Sequence, residues 1–405
     1  MINKICSLLF FGLFTMACSS NRHNAVAKKQ GSETLRTNST FERGAIGATT
    51  YTSADTIVVD AKHWKKRDSI GDQYYWFDFI LTPVRNKTVT VVLNKLTGIY
   101  RGNKHEVYND ITFPVFSYNN RDWQRISQVK YNEEKKSFSF TAKFEQDSVW
   151  LAYAHPYSLE KPKLIRRDYE KEKDMRMSSL GFSKEGRKLN LFSISDFSIP
   201  DSEKKVAVII SLQHTGEDAG AFLAEGLIRF LMSDNNEARD IKKKWIVHIV
   251  PVMNPDGLYN GITRYNAQRE DLNSIWLKSV DSLQFGPEVK AARQWLEKQF
   301  QSSNPPDIFF DIHSHSQQLP GNDIFSINPK FEAIAKAATA LEFPLNFIRN
   351  DKFEGSSVAY IDQHYKIPAA TIELTQSYVN DKDYLTIEDY EKYGELLMKS
   401  LNASF

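Results

Sequence analysis

Cysteine is almost missing from this 405-residue chain. Its two occurrences, Cys6 and Cys18, both lie at the extreme N-terminus, so the body has neither a disulfide framework nor a thiolate metal site. Any metal there must rest on imidazole and carboxylate. Charge of one sign is also missing. With 52 Lys and Arg against 50 Asp and Glu, the net charge of +2 argues against a nucleic-acid partner or a polybasic membrane surface. No apolar run beyond the N-terminal leader is long enough to span a bilayer, and no internal repeat is visible, which excludes a solenoid. What remains is the composition of an ordinary globular chain, long enough to predict two domains.

The leader has its own pattern. Met1–Lys4 is a short basic start, Ile5–Met16 is apolar, and Ala17-Cys18 follows. This predicts a signal peptide over 1–17. The small residue before Cys18 resembles a bacterial lipoprotein cleavage box, although Thr15 stands where an aliphatic residue is usual. A lipid on Cys18 would anchor an exported body to a membrane, facing the periplasm or the cell surface. No acidic run follows Cys18, and that favours the periplasm. Residues 18–45, rich in Ser, Asn, Thr, Lys and Arg, read as a flexible tether.

Residues 46–160 carry short alternating runs separated by turn signals: Thr56–Asp60, Tyr74–Ile80, Thr88–Leu93, Phe113–Tyr118, Lys136–Thr141 and Val149–Tyr153. Strands at this spacing without helices between them predict an all-β sandwich. Over 161–405 the pattern changes. Glu160–Arg176 is a charged surface helix or connector. Strands are then predicted at Leu189–Ser193, Val206–Leu212, Trp245–Val252, Ile308–Ile312 and Ala370–Leu374. Helices are predicted at Asp218–Met232, Pro287–Gln301, Lys330–Leu341 and Thr386–Leu401. Continuous apolar strands between amphipathic helices mean an α/β domain with a mixed, mostly parallel sheet flanked by helices. In such sheets the site lies where the carboxyl ends of strands open into loops.

Chemistry-bearing residues cluster at those ends. Gln213-His-Thr-Gly-Glu217 follows one strand, and a His and a Glu three apart in a tight turn can point at one spot, a donor pair that suits zinc. Asn254-Pro-Asp-Gly257, Arg264, Asn266 and Asp271-Leu-Asn273 follow a second strand. His313-Ser-His315 closes a third, and Glu373 lies in the fourth. Each alone is weak, since a histidine at a strand end is ordinarily a core or loop residue. Side chains two apart on an extended segment share a face, so spacing does not choose between His313 and His315.

Together with Ala154-His-Pro-Tyr157, Asp311-Ile-His313 and Thr371-Ile-Glu373, these motifs resemble the zinc carboxypeptidase family typified by carboxypeptidase A. The resemblance is to the branch of the cytosolic carboxypeptidases, which carry a β-sandwich before the catalytic domain. It implies one zinc held by His214, Glu217 and His313, with water in the fourth place. It implies Glu373 as general base, Arg264 as oxyanion stabiliser, and Asn273 with Arg264 as substrate contacts. His315 then becomes a wall of the site. Asn254 and Asp256 are expected to hold their loop, and Asp311 to support the site without reacting.

Two departures stand out. The family's arginine after Asn273, which grips a substrate's C-terminal carboxylate, is Ser274 here, and Ser cannot make a bidentate charged contact. Arg269 and Arg349 are the cations the neighbouring loops offer instead. The family's mobile tyrosine has no counterpart in Arg349–Glu354, and Tyr360 and Tyr365 read as packing residues. The implied activity is hydrolysis of a C-terminal peptide bond. The alternatives are a zinc amidase or peptidase acting on modified or cell-wall peptides, or a non-catalytic binding protein.

Overall fold

The computed structural model describes residues 34–405 except 69, 280–283, 318, 351–353 and 377–383. The signal peptide, Cys18 and the first part of the predicted tether lie outside these residues. The predicted tether also extends too far. Arg36–Asn38 is a strand paired with Asp78–Thr82, Leu35 is buried, and Arg43 is 2% exposed. These residues find partners elsewhere in the chain, which a local polar composition does not reveal.

Two five-stranded sheets form the N-terminal module. One runs in the order Arg36–Asn38, Asp78–Thr82, Val149–Ala152, Val115–Ser117, Gln124–Arg125, and the other Val129–Asn132, Ser137–Phe144, Lys87–Asn94, Thr56–Asp60, Thr49–Thr52. Alternation drives the stacking. In Lys87–Asn94, Val89, Val91 and Leu93 are buried while their neighbours are not. They pack with Phe79, Leu81, Phe140 and Leu151 in one core. The predicted strand Tyr74–Ile80 enters the ladder only from Asp78. Upstream of that, backbone groups bond elsewhere: the Tyr108 hydroxyl donates to the Tyr75 carbonyl (2.6 Å), and the Trp76 amide donates to Thr263 Oγ1 (3.4 Å). A small four-stranded sheet, Trp64–Lys65, Asp72–Gln73, Gly98–Tyr100 and Asn103–His105, completes the module.

The rest is built on an eight-stranded sheet in the order Met175–Phe182, Lys188–Ile194, Trp245–Val250, Lys205–Ser211, Ile308–Ser314, Ala369–Leu374, Asp323–Ser326, Asn346–Arg349. The three central pairings are parallel and the flanking ones mostly antiparallel. Each central strand feeds two cores. Ala207, Ile209, Phe310 and Ile372 face the helices Ala219–Leu231, Lys330–Ala340 and Ile387–Ser404. Val208, Ile210, Phe309 and Ala369 face Pro287–Phe300 and Ser357–Tyr365. Burial on both faces is why these strands read as unbroken apolar runs. Glu160–Tyr169 is the surface helix expected of the charged stretch. Residues 34–405 form one compact unit.

Candidate metal centre and catalytic cleft

The central strand Lys205–Ser211 ends in a forced turn. Leu212 adopts φ +52°, an uncommon conformation for a branched residue, and it redirects the chain into Gln213–Glu217. The turn is strapped on every side. The Gly216 amide donates to the Thr263 carbonyl (2.8 Å), Thr215 Oγ1 donates to Ile262, and Gln376 Nε2 donates to the Gly216 carbonyl (3.0 Å). A Cβ on Gly216 would lie 2.6 Å from Tyr75 Cε2, so only glycine admits this approach of the N-terminal module.

His214 and Glu217 project from this turn, and His313 comes from the neighbouring strand. Their donor atoms all lie within 4.8 Å of one another. His214 Nδ1 is 2.9 Å from Glu217 Oε1, His313 Nδ1 is 2.7 Å from Glu217 Oε2, and the two Nδ1 atoms are 3.1 Å apart. Two imidazole nitrogens converging on a buried carboxylate need a cation among them, and this donor set fits zinc. Their outer nitrogens fit as well. His214 Nε2 lies 3.0 Å from Asp271 Oδ1, and His313 Nε2 lies 3.0 Å from Asp311 Oδ1. A carboxylate behind each ring places the proton on Nε2 and leaves Nδ1 free to ligate. Asp311 is fixed in turn by Gln213 Nε2 (2.6 Å) and the Ser357 hydroxyl.

Electrostatics follow the geometry. Burial opposes ionisation of Glu217, yet His214 and His313 hold its carboxyl well below the usual range. Asp271 behaves alike, with Arg264 and His214 overcoming burial. Burial pushes the His313 ring down, but Asp311 and Glu217 raise it well above an ordinary histidine. With no metal between them, the carboxylates favour a protonated ring, and a divalent cation would supply that positive charge instead.

Strand register places Glu373. In the parallel pair Ile308–Ser314 and Ala369–Leu374, His313 is opposite Glu373. Glu373 lines a cavity of about 250 Å³ together with His214, Glu217, Arg264, Asp271 and Asn273. Burial, then the Glu217 charge, raises its carboxyl above the ordinary value. Arg264 is oriented by Asp271 Oδ2 at 2.7 Å from its Nε, with Nη1 3.7 Å from Glu217. His315 lies outside the donor cluster. Its Nε2 is 3.2 Å from Asp323 Oδ2 and its Nδ1 is 3.9 Å from Glu373, so it flanks the carboxylate opposite His313.

Asn273 lines the cavity, but its amide is already engaged. Nδ2 is 3.2 Å from His313 Nε2, and Oδ1 accepts from the Ser357 amide (3.1 Å). Its Oδ1 therefore ties this part of the wall to the start of the helix Ser357–Tyr365. Asn254 donates to the carbonyls of Gln213 and Tyr265 (both 3.1 Å) and caps Pro255–Tyr259. Asp256 accepts from Ser183, the Glu185 amide and Arg187. Tyr360 packs on Trp276, and Tyr365 stacks on Phe300.

The cations proposed to replace the family arginine are not those the cleft contains. Arg269 opens onto a neighbouring pocket with Lys62 and Trp64, and Arg349 ends an edge strand. Lys66, Tyr100 and Arg101 from the small N-terminal sheet line the cleft instead. The sequence signals only their hairpin, through Arg101-Gly102-Asn103, and gives no sign of where that hairpin docks.

Residues 165–342 match the zinc carboxypeptidase domain, and residues 37–154 match the cytosolic carboxypeptidase N-terminal domain. The chain thus carries a zinc carboxypeptidase domain behind a cytosolic carboxypeptidase N-terminal domain. It is 29% identical over 282 residues to mouse cytosolic carboxypeptidase 6, covering 64% of this chain and 50% of the mouse protein. Human cytosolic carboxypeptidase 4 is 29% identical over 200 residues, 45% of this chain and 17% of its own. The chain thus spans about half the length, or less, of these relatives. In fold it is similar to a metallo-carboxypeptidase from Burkholderia cenocepacia, with a TM-score of 0.79 over 92% of this chain and 99% of that one at 24% identity. A Pseudomonas aeruginosa metallo-carboxypeptidase, solved in complex with (2-guanidinoethylmercapto)succinic acid, gives a TM-score of 0.78 over 91% and 98% at 21% identity.

Proposed function

We propose that the chain is a zinc-dependent metallocarboxypeptidase that hydrolyses the C-terminal peptide bond of a peptide substrate. The observation that carries this reading is the register that sets Glu373 opposite His313 across two parallel strands, with Glu373 in the cavity that His214 and Glu217 also line. One zinc held by His214, Glu217 and His313 would polarise the scissile carbonyl and lower the pKa of its water towards about 7. Glu373 would accept a proton at its carboxylate and later deliver it to the departing amine. Arg264, kept in place by Asp271, presents a fixed positive charge where the oxyanion develops.

The purified protein is expected to carry one zinc per chain by metal analysis. Glu373→Gln should lower kcat by roughly 10²–10⁴-fold while keeping that zinc. A wild-type protein that holds no zinc after mild purification would sink the reading.

Ser274 in place of the family arginine favours a second reading within the same chemistry, an amidase acting on modified or cell-wall peptides. For location, the leader supports an exported lipoprotein anchored through Cys18 and facing the periplasm. Cys18→Ala in the full chain should then move the protein from the membrane fraction to the soluble one. An unchanged distribution would rule out the anchor.

A further inference from the structure

Ser274 cannot hold a substrate carboxylate here, because its hydroxyl donates to the Asp271 carbonyl at 2.8 Å. The cleft nevertheless contains three cations, Lys66, Arg101 and Arg264. Their availability differs. Arg264 is engaged by Asp271 at 2.7 Å, and Lys66 Nζ lies 2.7 Å from Asp68. Among the described residues no carboxylate lies within ion-pair distance of Arg101, whose guanidinium is 5.4 Å from the Tyr100 ring.

The hairpin that carries Arg101 is built to hold it there. Tyr100 pairs with Asn103, leaving Arg101-Gly102 as a two-residue turn with φ of +52° and +81°. Positive φ at both positions is the tight hairpin turn whose twist matches its strands. The Tyr100 ring in turn lies 5.1 Å from the Arg264 guanidinium, which fastens the hairpin to the catalytic residues. An arginine without an ionic partner, on a short turn at the wall of the cleft, can present two parallel N–H donors to a carboxylate.

We propose that Arg101, supplied by the N-terminal module, binds the C-terminal carboxylate of the substrate in place of the missing arginine at position 274. The inference rests on the carboxypeptidase reading, and its test separates the two. N-acetylated tetrapeptides with an uncharged C-terminal residue, each as free acid and as amide, are titrated calorimetrically into zinc-loaded Glu373→Gln protein. An uncharged last residue ensures that the α-carboxylate is the anion being read. With Arg101 present, the acid should bind roughly tenfold more tightly than the amide. Arg101→Asn, chosen because Asn tolerates a left-handed turn, should erase that preference with zinc content and amide affinity unchanged. Arg101→Lys should fall between.

Persistence of the acid preference in Arg101→Asn overturns the inference. So does equal affinity for acid and amide when Arg101 is present, the absence of measurable binding included. If the preference follows Arg101 but the wild-type enzyme cleaves nothing, the catalytic reading fails and the inference stands. If wild-type protein hydrolyses free acids and Arg101→Asn does so with unchanged KM, the inference fails and the catalytic reading stands.

Discussion

Glu288 shows how far burial can move one carboxyl in this protein. It sits in the first turn of the helix Pro287–Phe300, where the helix dipole favours an anion. Its side chain is nevertheless fully buried, and one oxygen accepts from Asn266 Nδ2 (3.1 Å), with the Glu288 and Lys184 backbone amides also favouring the anion. Burial outweighs the dipole and the hydrogen bonds, pushing the group up to about 7 from 4.5. A carboxyl raised on folding contributes stability that is full below its unfolded pKa and lost as pH rises towards 7. The shift corresponds to roughly 3 kcal/mol. Glu288→Gln should therefore be more stable than wild type at pH 9 by roughly 1–3 kcal/mol, with the gap closing by pH 5. Urea midpoints at the two pH values check this, and a difference independent of pH would be the wrong result. Asn266 was visible in the sequence only as a polar residue near Arg264. Its use in solvating a buried acid 22 residues away was not legible, because no local pattern records a contact across that distance.

At the scale of elements, legibility tracks burial. The strands that feed both cores, such as Lys205–Ser211 and Ile308–Ser314, were readable within a residue or two, because two buried faces leave an unbroken apolar run. The helix Pro287–Phe300 announced itself through its N-terminal proline and apolar spacing. Met175–Phe182 did not, since this edge strand buries one residue and mixes Ser and Gly through the rest. Asp323–Ser326 and Asn346–Arg349 are too short to show a period. Ser357–Tyr365 escaped because its polar and apolar residues do not sort cleanly around the helix. The turn with His214 and Glu217, the loop with Arg264, and Glu373 were legible as a cluster because each lies at the end of a readable strand. The choice between His313 and His315 was not, since it depends on where the strand stops: Ser314 is its last residue, and His315 turns towards Asp323.

For the whole molecule, the question is whether the N-terminal module and the metal-binding sheet stand or fall together, and Arg43 is the residue that decides it. Its guanidinium donates to Asp218 and to the Thr215 carbonyl, and lies 3.7 Å from the Trp76 ring. Arg43 and Asp218 are 2% and 1% exposed. The contact therefore joins the strand-bearing segment around Arg36–Asn38 to both sides of Glu217, one of the three residues that could hold a metal ion. Breaking a buried pair from one side leaves an uncompensated charge, which costs roughly 3–5 kcal/mol, whereas removing both partners costs far less. Arg43→Met should lower stability by that amount, and adding Asp218→Asn should restore part of it. The same change loosens the turn that orients His214 and Glu217, so zinc affinity should fall by roughly tenfold, as when a group supporting a ligand is lost. Chelator competition measures the affinity, and denaturation followed by tryptophan fluorescence and far-ultraviolet dichroism measures the unfolding. Coincident transitions in both signals, shifted together by Arg43→Met and by chelation, are expected of one cooperative unit. A loss of stability with zinc affinity intact would confine Arg43 to packing and leave the metal turn indifferent to the module in front of it.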